Sequence, residues 1–369
     1  MNAPPIRLLV PGNIRHHSGG NVYNARLTEG FRTLGSEVEI VPVEGSWPAA
    51  SALERRRFGS LLAARSPEYG PGEAVVIVDG LVAVGAPDEV ESAAKTGQPP
   101  WILVHMPVPD AGPVGPETPG SPSLDSEARA LKAAAGVICT STTAARTLQE
   151  RHGIHSIHVA LPGTEPAPLA PGSDPPHLVM VAALLPNKDQ LLMVQALAKL
   201  QDLDWTAALV GSDQADAGYA GQVRDAAERL GLTDRIRLTG ELTGAPLAEE
   251  WSRASLSLLV SREEAFGMSV TESLARGIPV VVRAGTGAVE ALGHRIPRPG
   301  GSEHPVLPGA AVPLTPGGPE SPGELAAVVR RWLEDPKRRA EWRGAALDAR
   351  TRLPDWQHTA RTVLEAVRG

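Results

Sequence analysis

The stretch "SREEAFGMSVTESLARGIPVVV", Ser261 to Val282, decides the reading of this chain. Glu264 and Glu272 flank a small "FGMS" segment, and an apolar run, Ile278 to Val282, follows Gly277. Upstream, "LSLLV" ends at Val260, and helix-forming residues resume at Ser269. The pattern is strand, turn, helix, strand. "SVTE" fits a capping box, with Ser269 as N-cap and Glu272 three residues on. Gly277 suits the position after a helix end. By that account Glu272 is structural, but "EAFG" stays unexplained. Gly267 permits close backbone approach, and the free N–H groups of residues 267–270 form a helix N-terminus above the strand ends. Such a terminus attracts anions, phosphate above all, and ligands of open α/β sheets bind at these carboxyl ends. Carboxylates on both sides of the turn would grip hydroxyls on both sides of a bound phosphate. The ligand so described is a diphosphate carrying a sugar at each end.

The rest of the chain repeats the strand–helix rhythm. Apolar runs occur at Ile6–Val10, Glu37–Val43, Ala74–Val78, Trp101–His105 and Gly136–Thr140, then at His177–Leu184, Thr206–Val210, Ile236–Gly240, Leu256–Val260 and Ile278–Val282. Continuous runs of this length are strands buried on both faces, and their alternation with helices gives parallel βαβ units. At 369 residues the chain suits two doubly wound domains. The proline-rich "PGTEPAPLAPGSDPP", Pro162 to Pro176, marks the boundary. The expected division is residues 1–165, a linker at 166–176, a second domain at 177–350 and a final segment at 351–369. Two further Pro/Gly-rich segments, Val108–Ser123 and Pro297–Gly309, have the character of binding loops.

Composition excludes several classes of function. Asp and Glu outnumber Lys and Arg by 42 to 35, which argues against a nucleic-acid partner, and the aromatic residues are few, at 4%. One cysteine, Cys139, forms no internal disulfide. No apolar stretch has the length of a membrane span, and no secretory signal is visible, so the expected location is the cytoplasm with no integral membrane association. His152, His155 and His158 run from a helix end through a glycine into a strand, so their rings should diverge; no metal site is expected there. "GTGAVE" at Gly285 lacks the third glycine of a dinucleotide fingerprint.

"EEAFGMSVTESLARGIPVVV" resembles the E-x7-E signature of retaining family 4 glycosyltransferases. The resemblance runs along nearly the whole chain, in order. "SGGNVYNARLTEGFRTLGSEVEIV" is similar to that family's N-terminal glycine-rich loop and first helix, "LVHMP" to its histidine after a strand, and "LPGTEPAPL" to its hinge. "VAALLPNKDQLLMVQAL" is similar to its strand, loop and lysine, and "AGTGAVEAL" to its glycine-rich turn. The resemblance implies the GT-B fold: two Rossmann-like domains facing each other across a cleft. The first would serve the acceptor and the second the nucleotide sugar. The final helix would pack back toward the first domain through Val363, Leu364 and Val367.

It also implies roles. Glu264 would bind donor-sugar hydroxyls, and Glu272 the ribose diol. The N–H groups of Gly267, Met268, Ser269 and Val270 would hold the diphosphate, and Lys188 would neutralise it as it leaves. Gly19 and Gly20 would let the first-domain backbone approach that group, and His105 would stand near the reacting centre. No metal or other cofactor is implied beyond the nucleoside-diphosphate sugar, UDP- or GDP-linked. The acceptor would be a small molecule, natural product or glycoconjugate. The chain departs from the pattern at Ala183, where the family carries an arginine; Arg15, Arg26 and Arg262 are the candidates to replace that cation. Two other readings stay open: another GT-B enzyme, such as a sugar phosphorylase or nucleotide-sugar 2-epimerase, and a nucleotide-sugar binding protein without catalysis. Oligomeric state is not legible.

Overall fold

A computed structural model describes residues 3–12, 18–64, 74–109, 123–293 and 306–368. Arg15 and most of the two long Pro/Gly-rich segments lie outside the described residues. The chain divides into two compact units, Met1–Gly163 with Pro354–Gly369, and Thr164–Leu353.

Among the described residues the first unit carries six parallel strands: β1 (Ile6–Pro11), β2 (Val38–Val43), β3 (Val75–Asp79), β4 (Trp101–Val104), β5 (Gly136–Cys139) and β6 (Ile157–Val159). Their order is β2-β1-β3-β4-β5-β6. The direction of winding therefore reverses between β1 and β3, where open α/β sheets bind ligands. The central strands are mostly apolar on both faces, whereas the edge strand β2 alternates, with Ile40 and Pro42 exposed and Val41 and Val43 buried. The last helix, Trp356–Arg368, belongs to this unit and packs along the helix Gly19–Thr33. Trp356 meets Tyr23 edge to face at 5.5 Å, and Thr359 donates to the Leu161 carbonyl at 2.7 Å. Val363 and Leu364 are buried there, and Val367 is half-buried.

The second unit carries β7 (His177–Val181), β8 (Thr206–Val210), β9 (Ile236–Gly240), β10 (Ala254–Leu259), β11 (Val280–Arg283) and β12 (Gly309–Val312). The order β12-β11-β10-β7-β8-β9 is that of a Rossmann sheet, all parallel, reversing between β7 and β10. Leu178, Met180, Leu209, Trp205 and Trp332 anchor its core. The proline-rich segment belongs to this unit from Thr164 onward. Ala170 N–H donates to Arg276, Gly172 N–H to Ser252, and the Arg343 and Arg350 guanidinium groups donate to the Ala170 and Ala167 carbonyls.

One buried carboxylate fixes the two loops at the β7–β10 reversal. Asp189 stands at φ 60°, a left-handed conformation that aspartate tolerates, between the turn Pro186–Lys188 and the helix Gln190–Leu197. Its side chain does not cap that helix. It accepts two bonds from Arg262, both 3.1 Å, and one from Arg283 at 2.6 Å. Arg283 also donates to the Val260, Ser261 and Leu314 carbonyls. Arg262 N–H donates to the Asn187 carbonyl at 2.7 Å. The loops after β7, β10 and β11 are thus sewn together by charge-assisted bonds.

Asp189→Asn keeps the shape and the left-handed backbone but leaves the buried Arg283 charge without its counter-ion. We expect a loss of about 3 kcal/mol in the unfolding of the second unit, as for other broken buried pairs. Denaturant titration followed by tryptophan fluorescence measures it. A loss of less than about 1 kcal/mol, the size of a surface pair, would contradict the clamp.

Candidate functional site

After β10 the chain turns through Ser261–Phe266 and starts the helix Met268–Ala275. The N-cap is Gly267, at φ 92° and ψ 69°, and no side chain caps the helix. The left-handed conformation favours glycine here, and a Cβ at Gly267 would also press on the end of the Leu259 side chain, at 2.9 Å. The expected capping box of Ser269 and Glu272 is not formed. The left-handed glycine starts the helix one residue earlier and places Ser269 inside the first turn. The first N–H groups of the helix therefore have no side-chain oxygen on them, which suits an anion site better than a capped end does.

Glu272 is half-buried and accepts no hydrogen bond among the described residues. Burial pushes its pKa up from the ordinary carboxylate range, and Arg276 only partly offsets this. The carboxylate is thus partly desolvated and has no protein donor among the described residues, so a donor from a ligand would stabilise its charged form. Glu264, eight residues earlier, takes Lys188 Nζ at 2.8 Å, with both side chains partly exposed. Its backbone carbonyl accepts from Gly287 N–H at 2.7 Å, which brings the glycine-rich turn against the same loop. Lys188, Glu264, Glu272 and the Gly267–Val270 backbone therefore belong to elements that meet at the reversal between β7 and β10.

No cation stands at Ala183, whose carbonyl is taken by the Gln190 amide at 2.9 Å. Arg262, one candidate to replace it, is engaged on both arms by Asp189. Arg26, another, pairs with Glu29 on the surface of the helix Gly19–Thr33. Arg15 lies outside the described residues. His152 bonds Glu127 at 2.7 Å and His158 packs against Trp101, and no cluster of three metal-ligating side chains occurs among the described residues. Among the same residues no helix is long and apolar enough to cross a membrane.

The first unit builds a second set of groups at its own reversal, between β1 and β3. Gly19 and Gly20 open the helix Gly19–Thr33, capped by the Ser18 hydroxyl, which accepts from Asn21 N–H. Among the described residues nothing crowds Gly19, but a Cβ on Gly20 would lie 3.1 Å from the His105 ring. Gly20 thus makes room for the imidazole. His105 Nε2 is 3.0 Å from Asn24 Oδ1 and 3.3 Å from Asp79 Oδ2. Asn24 donates its amide to the same Asp79 oxygen at 2.9 Å, so its Oδ1 is the end that faces the ring. Asp79 is buried at the end of β3, and its second oxygen accepts from Leu81 N–H. Burial raises its pKa, but the His105, Asn24 and Leu81 bonds outweigh that, and the net shift is downward. Asp79 is therefore a carboxylate, both neighbours of Nε2 are acceptors, and the ring proton sits on Nε2. Nδ1 is left for other use. Asn24 and Asp79 escaped the sequence reading. The signal was "VDG": an acidic residue ending an apolar strand just before a glycine.

The family model described as "Glycosyl transferases group 1" matches residues 163–348, about half of the chain. The chain is 26% identical over 179 residues to mannosylfructose-phosphate synthase of Agrobacterium fabrum, covering 43% of this chain and 39% of that protein. It is 25% identical over 277 residues to D-inositol 3-phosphate glycosyltransferase of Nocardiopsis dassonvillei, covering 69% and 60%. It spans between 37% and 60% of the length of the curated relatives it matches. Among solved structures, sucrose-phosphate synthase from Thermosynechococcus elongatus superposes with a TM-score of 0.77 at 19% identity, over 99% of this chain and 98% of that one. HepE of Anabaena, in complex with UDP and glucose, gives 0.69 at 19% identity, over 99% of each chain. These structures share the two-sheet GT-B fold, and with the match over its second unit the chain belongs to the group 1 glycosyl transferases.

Proposed function

We propose that the chain transfers a glycosyl group from a nucleoside-diphosphate sugar, UDP- or GDP-linked, to a hydroxyl of a small acceptor, with retention of configuration. The observation that carries this reading is the open helix terminus at Gly267, flanked in sequence by the Lys188-bound Glu264 and by the half-buried Glu272 carboxylate. A diphosphate suits the N–H groups and the lysine, a ribose diol suits Glu272, and a sugar suits Glu264. His105, oriented by Asp79 and Asn24, is assigned to the donor-sugar hydroxyls through Nδ1. The relatives named for inositol 3-phosphate and mannosylfructose phosphate support a small polyhydroxy acceptor.

In the reaction the bond from the anomeric carbon to the phosphate oxygen breaks and a bond to the acceptor oxygen forms on the same face. The acceptor proton passes to the departing phosphate. The protein supplies position and electrostatic stabilisation of the leaving diphosphate. That charge is assigned to Lys188 and backbone N–H groups, without a metal. The chain's Asp202-Leu203-Asp204 triplet lies before β8, at the far end of the sheet, with Asp202 paired to Arg330.

Kinetics on three variants test the roles. Glu272→Gln should raise the donor KM, because the ribose contact is the same in ground and transition states. Lys188→Ala should lower kcat by about a hundredfold or more, because the charge it meets grows during reaction. Glu264→Gln should lie between. The stability sign is also fixed. Glu272 holds its proton more tightly folded than unfolded, so its ionisation costs stability as pH rises above about 4. Glu272→Gln should therefore leave the melting temperature at pH 7 unchanged or higher. A lower melting temperature with unaltered kinetics would make Glu272 a structural residue.

Asp79→Asn tests the first unit. It replaces the carboxylate that holds His105 with a neutral amide. We expect kcat to fall by about tenfold to a hundredfold, the usual cost of misplacing a reacting group by about 1 Å, with donor KM nearly constant. Unchanged kcat in a folded variant would remove His105 from the chemistry. Turnover should also survive a chelator; full loss, restored by magnesium or manganese, would overturn the metal-free assignment.

A further inference from the structure

The amino-terminal end of the second sheet carries a cavity of about 490 Å³, at the opposite end of the strands from the Gly267 terminus. His177, Thr206 and Ile236, the first residues of β7, β8 and β9, form its floor. Four guanidinium groups line it: Arg224 from the helix Ala217–Arg229, Arg235 and Arg237 around the start of β9, and Arg253 ending the helix Gly244–Arg253. The one acidic residue in the lining is Asp234.

Two of the arginines are fixed. Arg235 lies over the Trp205 ring at 4.8 Å, donates to the Leu203 carbonyl at 2.8 Å and stands 3.9 Å from the exposed Asp204. Arg237 bonds Glu250. Glu250 is buried and in turn takes His177 Nε2 at 2.7 Å, while His177 Nδ1 meets the Thr206 hydroxyl at 2.7 Å. The polar wall behind Arg237 is thus a continuous hydrogen-bonded chain with no loose end. The other two arginines are exposed. Arg224 stands 3.7 Å from Asp213, and Arg253 has no hydrogen-bond or ion-pair partner among the described residues.

Arg235 and Arg237 are offset by Asp204 and Glu250. Arg253 carries its charge without a partner among the described residues, Arg224 has only the 3.7 Å approach to Asp213, and the fold needs neither of these exposed side chains for packing. Guanidinium forks match phosphate and carboxylate oxygens in pairs, and the volume is that of a small-molecule site. We propose that this cavity binds a small phosphorylated organic anion, at the end of the sheet away from Lys188. Arg235 and Arg237 form the preset part of the site, and Arg224 and Arg253 close on the ligand.

Calorimetric titration with glucose 6-phosphate tests this, on the wild type, on Lys188→Ala and on the double variant Arg224→Ala/Arg253→Ala. We expect saturable binding at one site, an equal Kd in Lys188→Ala, and a Kd raised about tenfold or more in the double variant, as charge-assisted contacts are lost. The single variant Arg253→Gln, at an exposed and unpartnered position, gives the same test with no risk to the fold. Co-sedimentation with phosphatidylglycerol vesicles separates a free phosphate ester from a lipid headgroup. Four results would overturn the proposal: an unaltered Kd in the arginine variants, loss of binding in Lys188→Ala, no binding to the wild type at millimolar concentration, or arginine-dependent vesicle binding without binding of the free ester. Loss of the proposed transferase activity alone would leave these titrations unchanged.

Discussion

The bond network of Asp189 is the constraint on which the second unit depends. A parallel sheet positions its loops only to the strand ends; beyond them the backbone is free. Here one carboxylate, held in a left-handed turn, takes both Arg262 and Arg283. The lysine one residue before it and the glutamate two residues after Arg262 are then held in register and meet at 2.8 Å. Such a pair of loops keeps its geometry because breaking it strands a buried arginine, a penalty larger than thermal motion supplies.

The first unit uses the same device with different chemistry. Asp79, at the end of β3, fixes Asn24 and His105, and the glycine at position 20 gives the ring its place. In each unit a buried aspartate stands where the winding of the sheet reverses and orients a group that carries a proton or a charge. Second-layer carboxylates of this kind set which nitrogen or oxygen a site offers. The chemistry assigned to Lys188 and His105 thus depends on residues that would not touch a substrate.

The sheets were legible because most strands are apolar on both faces, and the runs found at Ile6, Ala74, Thr206 and Leu256 need no partner information to be recognised. β12 was not read. Gly309–Val312 is a short edge strand of small residues after a proline-rich stretch, so it carries little apolar signal. The order of strands depends on pairing between distant segments, which periodicity does not encode, and so the different reversal points of the two sheets were not visible. The candidate site was legible where backbone need and chemistry coincide, as at Gly267. The capping box was misread because Ser269 and Glu272 have the right spacing for it. The deciding feature was the left-handed turn at Gly267, which moved the helix start. Asp79, Asn24 and Asp189 were missed for a related reason: their partners lie tens of residues away in sequence.

The alanine at position 183 bears on how the site manages charge. Arg262, on the loop after β10, and Arg283, at the end of β11, both serve Asp189, and Lys188 shares its charge with Glu264. Net positive charge at the Gly267 terminus is therefore small before any ligand arrives. What remains is a set of fixed N–H dipoles, which cost no reorganisation when an anion binds. A site built this way relies on alignment more than on net charge. The Asp189 clamp supplies that alignment, because it holds the loops that carry Lys188 and Glu264 in register.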